Sequence, residues 1–365
     1  MHTTDTILSY RKPETKYRKH YRSTAVRQVY GEEAERYIVR FVDVGCHSTE
    51  VLATSTVFSI AAMNGKVIRS IVNLKRVNDI ENTNEFFTHI NRKLPNCGLY
   101  IGCVETIDQR KQRKLNKYPR VIAYPFYMCD FLLKRLFPKW GPTRKLYRLV
   151  TRGKNRAVSK TETLGRLVAC GFQIVDYAEM DGLMYFVAQK TGDPKETAAA
   201  TYGMLIRLPR VGKDGKKINV YKFRTMHPYA EYLQEYVYKS NGLMNGDKLS
   251  KDFRITSWGR LMRKLWIDEQ PMWLNWLRGD IKLVGFRPLS RHKLNLYPED
   301  FQKRRLQYKP GLIPPFYHDL PDTFEGLVVS EMKYLDAYDK NPWLTDIRYF
   351  FRAVFNIVIK RARSG

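Results

Sequence analysis

Between residues 36 and 190, short strand-like runs alternate with longer runs of helical spacing, and this alternation constrains the fold more than any other feature of the sequence. The strand-like runs are YIVRFVDV, RSIVNLKR and GLYIGCVE, and the helical runs are NTNEFFTHINRKL and SKTETLGRLVACG. FQIVDYAEM and GLMYFVAQK follow as a hairpin-like pair. Strands that alternate with helices are typical of an α/β domain.

Polar segments divide the chain into parts. Residues 1–35 are polar and basic, and they are predicted to form an N-terminal arm. Residues 191–201, TGDPKETAAAT, combine Pro, Gly and small side chains, which is typical of a linker. These limits predict an α/β domain over residues 36–190 and a second domain over residues 202–365.

The second domain is predicted to have an α+β fold of helices and a β-hairpin. In RLPRVGKDGKKINVYKFRTM, residues 207–226, Asp214 and Gly215 separate two strand-like runs, which is a strong hairpin signal. Trp258, Leu261 and Leu265 follow at helical spacing. A further helix is predicted to run through MWLNWLRG with Asp268 as its N-cap.

The charge of the chain predicts an anionic partner. The 64 Lys and Arg residues exceed the 36 Asp and Glu residues, so the formal net charge is +28. Nucleic acid, an acidic membrane surface or a phosphorylated substrate would each suit this charge. The five cysteines have no CxxC spacing, so neither a zinc site nor a disulfide framework is indicated.

The first domain resembles part of a class I methyltransferase. VDVGCHS, residues 42–48, is similar to the glycine loop that follows the first strand of such folds, and the hairpin-like pair resembles their late strands. The loop has one glycine, however, where a cofactor cradle needs two or three so that the backbone can approach closely. A degenerate Rossmann-like, methyltransferase-like domain is therefore predicted, without bound S-adenosylmethionine.

Two segments are candidates for membrane contact, since the sequence has no run of 18 uncharged apolar residues. Residues 124–140 are aromatic and apolar but carry charges. In residues 344–360, apolar side chains recur at helical intervals, with Arg348, Arg352 and Asn356 on the other side. This amphipathic helix either docks on a core or lies in a membrane interface.

Asp268 and Glu269 stand in WIDEQP, an unusual place for two adjacent acids in so basic a chain. One interpretation is structural, with Asp268 capping a helix and Glu269 in its first turn. The other is chemical, because a helix N-terminus also suits phosphate, and its field keeps a carboxylate ionised. Basic residues cluster in sequence around the same helices: Lys222, Arg224, Arg254, Arg263 and Arg287. Cations beside paired carboxylates suit metal-assisted attack on a phosphoryl group.

Residues 202–362 resemble the catalytic domain of the bacterial sugar transferases, the monotopic phosphoglycosyl transferases. The resemblance rests on five ordered blocks: RVGKDGK…YKFRTM, DFRIT.WGRLMRK.WIDEQP, LRGDIKLVGFRPLS, YKPGL and YLDAYDKNPWLTDI. It implies an enzyme that transfers a sugar phosphate from a UDP-sugar to polyprenyl (undecaprenyl) phosphate and releases UMP. It also implies Mg²⁺, a covalent aspartyl-phosphosugar intermediate and a role at the start of exopolysaccharide, capsule, O-antigen or glycoconjugate assembly.

The resemblance also implies a location and partners. The expected location is the cytoplasmic face of the bacterial inner membrane, with monotopic or peripheral attachment and interfacial amphipathic helices. A homodimer is left open. Nucleic acid is not expected, because the two acids would oppose its phosphates. The alternative is a catalytically silent, membrane-associated scaffold that retains the sugar transferase fold.

The resemblance assigns roles where positions match. Asp268 occupies the place of the nucleophile, and Glu269 that of its acidic partner as a metal ligand or general base. Both are therefore predicted metal ligands. The residues predicted to bind the substrate are Lys222, Arg224, Arg254, Arg287 and Pro288.

Three departures from the family pattern stand out. The long apolar re-entrant helix usual before Tyr202 is missing. Gly285 is followed by Phe-Arg-Pro where the family has Pro-Arg-Pro, and KPGLIPPFY replaces KPGITGWAQ. The sugar and acceptor sites are expected to differ accordingly.

Overall fold

The chain forms two compact units. The computed structural model describes residues 11–63, 68–137, 143, 147, 149, 151–194, 203–241, 243, 244, 248, 249 and 252–360. The N-terminal unit comprises Met1–Ala200 together with Pro228–Tyr236, and the C-terminal unit comprises Thr201–His227 together with Val237–Gly365. Most of the predicted linker, 191–201, lies outside the described residues.

The N-terminal unit is a mixed α/β structure. Its helices are α1 (Arg11–Val39), α2 (Val57–Ala61), α3 (Thr83–Lys93), α4 (Ile107–Lys117), α5 (Arg120–Phe131, continued by a π-helical turn Leu132–Leu136) and α6 (Lys160–Ala169). Its strands are β1 (Thr49–Leu52), β2 (Ser70–Asn73), β3 (Leu99–Val104), β4 (Phe172–Met180) and β5 (Leu183–Lys190). The predicted mixed α/β class is confirmed.

These strands form one five-stranded sheet in the order β1-β2-β3-β5-β4. β1, β2 and β3 are parallel, and β5 pairs antiparallel with both β3 and β4. The predicted hairpin of FQIVDYAEM and GLMYFVAQK is therefore confirmed. One face of the sheet buries Val72, Ile101 and Val187 against residues of α1.

One predicted strand is wrong. Tyr37, Ile38 and Val39 of YIVRFVDV form the end of α1, and residues 42–48 are a turn between that helix and β1. VDVGCHS thus follows a helix, not the strand that a cofactor loop would need. Val26 and Ala34 are buried in the core, so this part of the predicted arm is packed.

A short segment, Pro228–Tyr236, belongs to the N-terminal unit although it lies far along the chain. Tyr229 is buried, and its hydroxyl accepts hydrogen bonds from Asn84 (2.7 Å) and Arg166 (3.2 Å). A Cβ atom on Gly165 would lie 2.3 Å from the Tyr229 carbonyl oxygen. Only glycine allows α6 to approach this segment so closely.

The C-terminal unit combines short sheets with helices. Its strands are β6 (Leu205–Val211), β7 (Lys217–Phe223), β8 (Leu243–Met244), β9 (Lys248–Leu249), β10 (Lys282–Val284) and β11 (Gly311–Ile313). The helices after Pro228 are α7 (Gln234–Asn241), α8 (Ser257–Lys264), α9 (Trp273–Leu277), α10 (Arg291–Leu294), α11 (Glu299–Leu306), α12 (Phe316–Asp319), α13 (Phe324–Lys340) and α14 (Pro342–Val358). β6 pairs antiparallel with β7, and β10 pairs parallel with β11.

The hairpin predicted from Asp214 and Gly215 is confirmed. Both residues have positive φ, 55° and 71°, which is the backbone that a tight hairpin turn requires. Two apolar clusters hold the unit together. One surrounds Phe286 and Tyr334, and the other surrounds Val220 and Tyr317.

Helix α14 packs through its small and polar side chains. Thr345, Tyr349, Ala353 and Asn356 are buried, and the Asn356 amide donates to the carbonyl of Tyr317 (2.8 Å). Asn356, which was expected on the outer polar side, is therefore an inward-facing residue. The apolar face is exposed instead; it consists of Leu344, Ile347, Phe351, Phe355 and Val358.

Candidate active site

The basic end of β7 is held in place by α9. The Asn275 side chain accepts from the backbone N–H of Tyr221 (2.9 Å) and donates to the carbonyl of Asn219 (2.7 Å). Asn275 is fully buried, so these bonds are shielded from water. They fix the strand that carries Lys222 next to the helix that follows the two acids.

The turn Ile267–Met272 carries the two acids, and it is 3₁₀-helical. Trp266 precedes it with φ 62°, a left-handed conformation that costs a bulky residue free energy. Its indole Nε1 donates to the Tyr317 hydroxyl (3.2 Å), and the two rings meet edge to face. The predicted N-cap role of Asp268 is wrong, because Trp266 occupies the cap position and Asp268 lies within the turn.

Glu269 is the buried member of the pair. Its Oε1 lies 2.5 Å from the Lys222 ammonium and 3.7 Å from the Arg287 guanidinium. Burial lowers the pKa of Lys222 and the charge of Arg287 adds to this, while Glu269 opposes it. The carboxylate of Glu269 is therefore the point where three elements meet. They are the end of β7, the acidic turn, and the segment Gly285-Phe286-Arg287-Pro288, called the GFRP segment below.

Asp268 has a different environment from its neighbour. It is half-buried. Among the described residues, Lys222 and Arg287 form their ion pairs with Glu269 and not with Asp268. Burial raises the pKa of Asp268, and so does the adjacent charge of Glu269, whereas Lys222 and Arg263 act in the opposite direction. This is the reverse of the shift expected from a helix N-terminus. A higher pKa makes a carboxylate more basic and a better nucleophile once it is ionised.

The GFRP segment is positioned by close backbone packing. Gly311 donates its N–H to the Phe286 carbonyl (2.8 Å), and Gly285 donates to the Ile313 carbonyl (3.1 Å). A Cβ atom on Gly311 would lie 2.2 Å from the Gly285 nitrogen, so that position requires glycine. Phe286 is buried and packs edge to face on Tyr334, so an aromatic side chain at this position contributes to the core.

These elements line a cavity of about 200 Å³. The polar side chains in its lining are Arg210, Lys222, Glu269, Arg287, Ser290 and Lys293. This lining has four cationic side chains and one carboxylate, so it carries a surplus of three positive charges. Burial and the charge of Arg287 lower the pKa of Arg210, as expected where cations crowd together. The cavity is therefore suited to a polyanion.

Sequence reasoning missed Arg210, Ser290 and Lys293. Arg210 had a usable signal, because the hairpin register pairs it with Ile218 and pairs Ile206 with Lys222. Residues two apart on a strand share a face, so Arg210 and Lys222 lie on the same face. Ser290 and Lys293 had no comparable signal, since α10 lies outside any periodic pattern.

Not all of the predicted substrate-binding residues line the cavity. Lys222, Arg287 and Pro288 do. Arg254 is buried away from the lining and makes a two-pronged contact with Asp252, at 2.7 and 2.9 Å. Arg224 donates from Nε to the Gly203 carbonyl (3.0 Å) and is also absent from the lining. Arg224 and Arg254 were predicted to bind the substrate, but neither lines this cavity.

The acids do not form a large metal cluster. Across the part of the chain that the structure describes, no three His, Cys, Asp or Glu side chains gather as a metal site. Magnesium in phosphoryl-transfer sites commonly takes one or two protein carboxylates, with substrate phosphates and water completing the shell. The pair Asp268 and Glu269 fits that donor set.

The residues that form the site also match a known protein family. A family described as "Bacterial sugar transferase" matches residues 197–360. These residues include the hairpin, the acidic turn, the GFRP segment and α14.

Curated relatives agree with this match. "Galactosyl transferase CpsE" of Streptococcus agalactiae is 43% identical over 136 residues, which are 35% of this chain and 29% of the relative. "Undecaprenyl-phosphate galactose phosphotransferase" of Salmonella typhimurium is 36% identical over 108 residues, or 28% and 22% of the two chains. An uncharacterized sugar transferase of Haemophilus influenzae is 25% identical over 258 residues, 68% of this chain and 50% of the relative.

In these three relatives the match covers half of the relative's length or less. The matched residues in this chain contain every side chain of the cavity described above. Residues 197–360, a little under half of the chain, are thus similar to the bacterial sugar transferase family.

Proposed function

We propose that this protein transfers a sugar 1-phosphate from a UDP-sugar to polyprenyl phosphate. The observation that carries the proposal is the carboxylate of Glu269 in the lining of a cavity with surplus positive charge, with Asp268 next to it in the chain although outside that lining. A relative from Salmonella typhimurium is named for the transfer of galactose phosphate to undecaprenyl phosphate, and one from Aeromonas hydrophila for that of N-acetylgalactosamine phosphate. The protein is accordingly proposed to be a transferase of phosphorus-containing groups.

The two acids are proposed to have separate roles. A carboxylate oxygen of Asp268 attacks the phosphorus that carries the sugar. The bond from that phosphorus to the bridging oxygen breaks, and UMP leaves with this oxygen. A polyprenyl phosphate oxygen then attacks the same phosphorus and releases the Asp268 carboxylate. Covalent catalysis of this kind divides one difficult transfer into two easier steps.

Glu269 is the less suitable nucleophile because its carboxylate is already bound by cations. Lys222 and Arg287 hold its Oε1, and its side chain is only 9% exposed. It is proposed to orient Lys222 and Arg287 toward the diphosphate. Arg210 and Lys293 add charge to the same lining. All four cations are proposed to bind the donor's pyrophosphate.

Magnesium is proposed as the cofactor, held by Asp268 and Glu269 together with donor phosphates. It would neutralise phosphate charge and so reduce the repulsion between the diphosphate and an attacking carboxylate. Lys222 has a related effect, since its charge opposes the rise in the pKa of Asp268 that burial and Glu269 cause.

The protein is proposed to act at the surface of a membrane, on its cytoplasmic side, because polyprenyl phosphate is a lipid. No helix among the described residues is long and apolar enough to span a bilayer. The exposed apolar face of α14 provides another means of attachment, and the net charge of +28 favours an anionic leaflet. Both features support peripheral or shallow monotopic attachment.

The N-terminal unit is proposed to be a degenerate Rossmann-like domain with a structural role. Three parallel strands and a closing antiparallel hairpin support this fold. Residues 42–48, the expected cofactor loop, follow a helix and precede β1, which does not support a cofactor cradle there.

The proposal is tested by measuring UMP release. The purified chain is incubated with a panel of UDP-sugars, polyprenyl phosphate and Mg²⁺, and UMP is quantified with and without the lipid. Release of UMP with one donor, with the label of that donor passing to the lipid, is the expected result. Lipid binding without any transfer across the panel would favour a silent scaffold instead.

A further inference from the structure

A buried ion pair lies directly behind the GFRP segment. Arg305, on α11, donates from Nη1 to the Glu331 carboxylate on α13. Their side chains are only 6% and 1% exposed. Removing two charges from water is costly, and a buried ion pair seldom adds net stability compared with apolar side chains. Stability alone is therefore a weak reason for this pair.

Arg305 makes a second contact that points to its use. Its Nη2 donates to the carbonyl oxygen of Arg287 at 2.6 Å. Its guanidinium also lies over the rings of Phe286 (4.7 Å) and Tyr297 (5.1 Å). Arg305 thus holds the main chain of the residue whose side chain reaches Glu269 in the cavity.

Glu331 fixes the direction of Arg305. The guanidinium is planar, so a contact that holds Nη1 also restricts the direction of Nη2. Nη1 binds Glu331, and Nη2 binds the carbonyl of Arg287. The opposite side of the GFRP segment is bonded by Gly311, whose N–H donates to the Phe286 carbonyl. The main chain before Pro288 is therefore held from two sides.

We propose that Arg305 and Glu331 are positioning residues for the donor site, which set the placement of Arg287 against the diphosphate of a nucleotide sugar. Neither residue touches the substrate. This inference rests on the function proposed above. Loss of the pair lets the GFRP segment shift, and small misplacements of a binding group weaken substrate binding strongly.

Arg304 offers a matched control. It neighbours Arg305 on α11 and also joins α13, through Asp336 (2.7 Å) and Asp339 (2.8 Å). Its ion pairs are partly exposed, with 32% of the Arg304 side chain and 60% and 42% of the two acids accessible. Arg304→Met removes a link between the same two helices and leaves Arg287 held.

The experiment measures UDP binding by calorimetry together with KM and kcat for the active UDP-sugar. The variants are Arg305→Lys, the double variant Arg305→Met with Glu331→Met, Arg304→Met and Arg287→Ala. The double variant leaves no unpaired buried charge, so it is the one expected to stay folded. Thermal unfolding of each variant confirms the fold.

We expect Arg305→Lys and the double variant to weaken UDP binding and raise KM by at least about tenfold, with a smaller change in kcat, as is usual for residues that orient binding groups. Arg304→Met should leave all three values unchanged. If the folded double variant binds UDP as tightly as the wild type, the inference is wrong. If Arg287→Ala also leaves UDP binding unchanged, the proposed donor site itself is wrong.

Discussion

Replacing Phe351 and Phe355 together by serine is expected to release the protein from membranes. Both rings are on the apolar face of α14, where they are 67% and 47% exposed. The substitutions remove apolar surface of which about half or more faces solvent. They should therefore change membrane binding much more than they change folding.

The size of the effect follows from these exposures. Moving a whole phenylalanine side chain out of water is worth roughly 1.5–3 kcal/mol. With 67% and 47% of the two side chains available, the loss amounts to about 2–3 kcal/mol. This corresponds to a roughly 30- to 150-fold weaker partition into the membrane.

Sedimentation with lipid vesicles measures this partition. Anionic and neutral vesicles are compared at low salt and at ~1 M salt, where the Debye length falls to about 3 Å and the attraction of basic residues is screened. Wild-type protein should stay bound at high salt, because apolar burial is not screened. Phe351→Leu with Phe355→Leu keeps the face apolar and should bind nearly as well as wild type.

Two results would refute this reasoning. The serine variant could sediment as completely as the wild type, which would mean that the apolar face of α14 does not contact lipid. Alternatively, wild-type protein could remain in the supernatant after mild lysis and with every vesicle, in which case the proposed membrane attachment would fail.

Three further predictions concern the site and its support. Asp268→Asn should reduce turnover by roughly 10⁴-fold or more with an unchanged unfolding temperature, since the amide is isosteric but not nucleophilic; full activity would exclude the covalent step. A chelator should abolish UMP release and added Mg²⁺ restore it, and turnover that persists in excess chelator would rule out the metal. Burial raises the pKa of Glu331 to about 7, although Arg305 opposes this rise. Because the folded state then keeps a proton that the unfolded state loses above pH ~4.5, stability should fall as pH rises from 4.5 to 7. Urea unfolding at several pH values should show this fall in the wild type and not in Glu331→Gln. If the unfolding free energy of both proteins depends equally on pH, the prediction is wrong.

The parts of the site that could be predicted share one property, which is that local sequence determines them. The Asp214-Gly215 turn sets the register of β6 and β7, and so the place of Lys222 at the strand end. Glu269 and Arg287 were identified by motif, and the structure brings Lys222 and Arg287 to the Glu269 carboxylate.

Other features of the fold and of the site depend on tertiary packing, which the sequence pattern does not show. YIVRFVDV has the composition of a strand, but its apolar residues complete the buried face of α1. A short apolar run fits either element, so packing decides between them. Arg305 and Glu331 are 26 residues apart and look like ordinary surface charges in sequence. Arg254 was predicted to bind the substrate, and the structure pairs it with Asp252, two residues earlier.

The membership of Pro228–Tyr236 in the N-terminal unit affects how the protein can be divided. A fragment that begins at residue 201 would carry Tyr229, Ala230 and Leu233 without the helix Lys160–Ala169 that packs on their segment. All three side chains are at most 3% exposed in the intact chain. Such a fragment would present them to water only a few residues after Lys222. Limited proteolysis near the linker should therefore yield two pieces that remain associated, rather than a free catalytic domain.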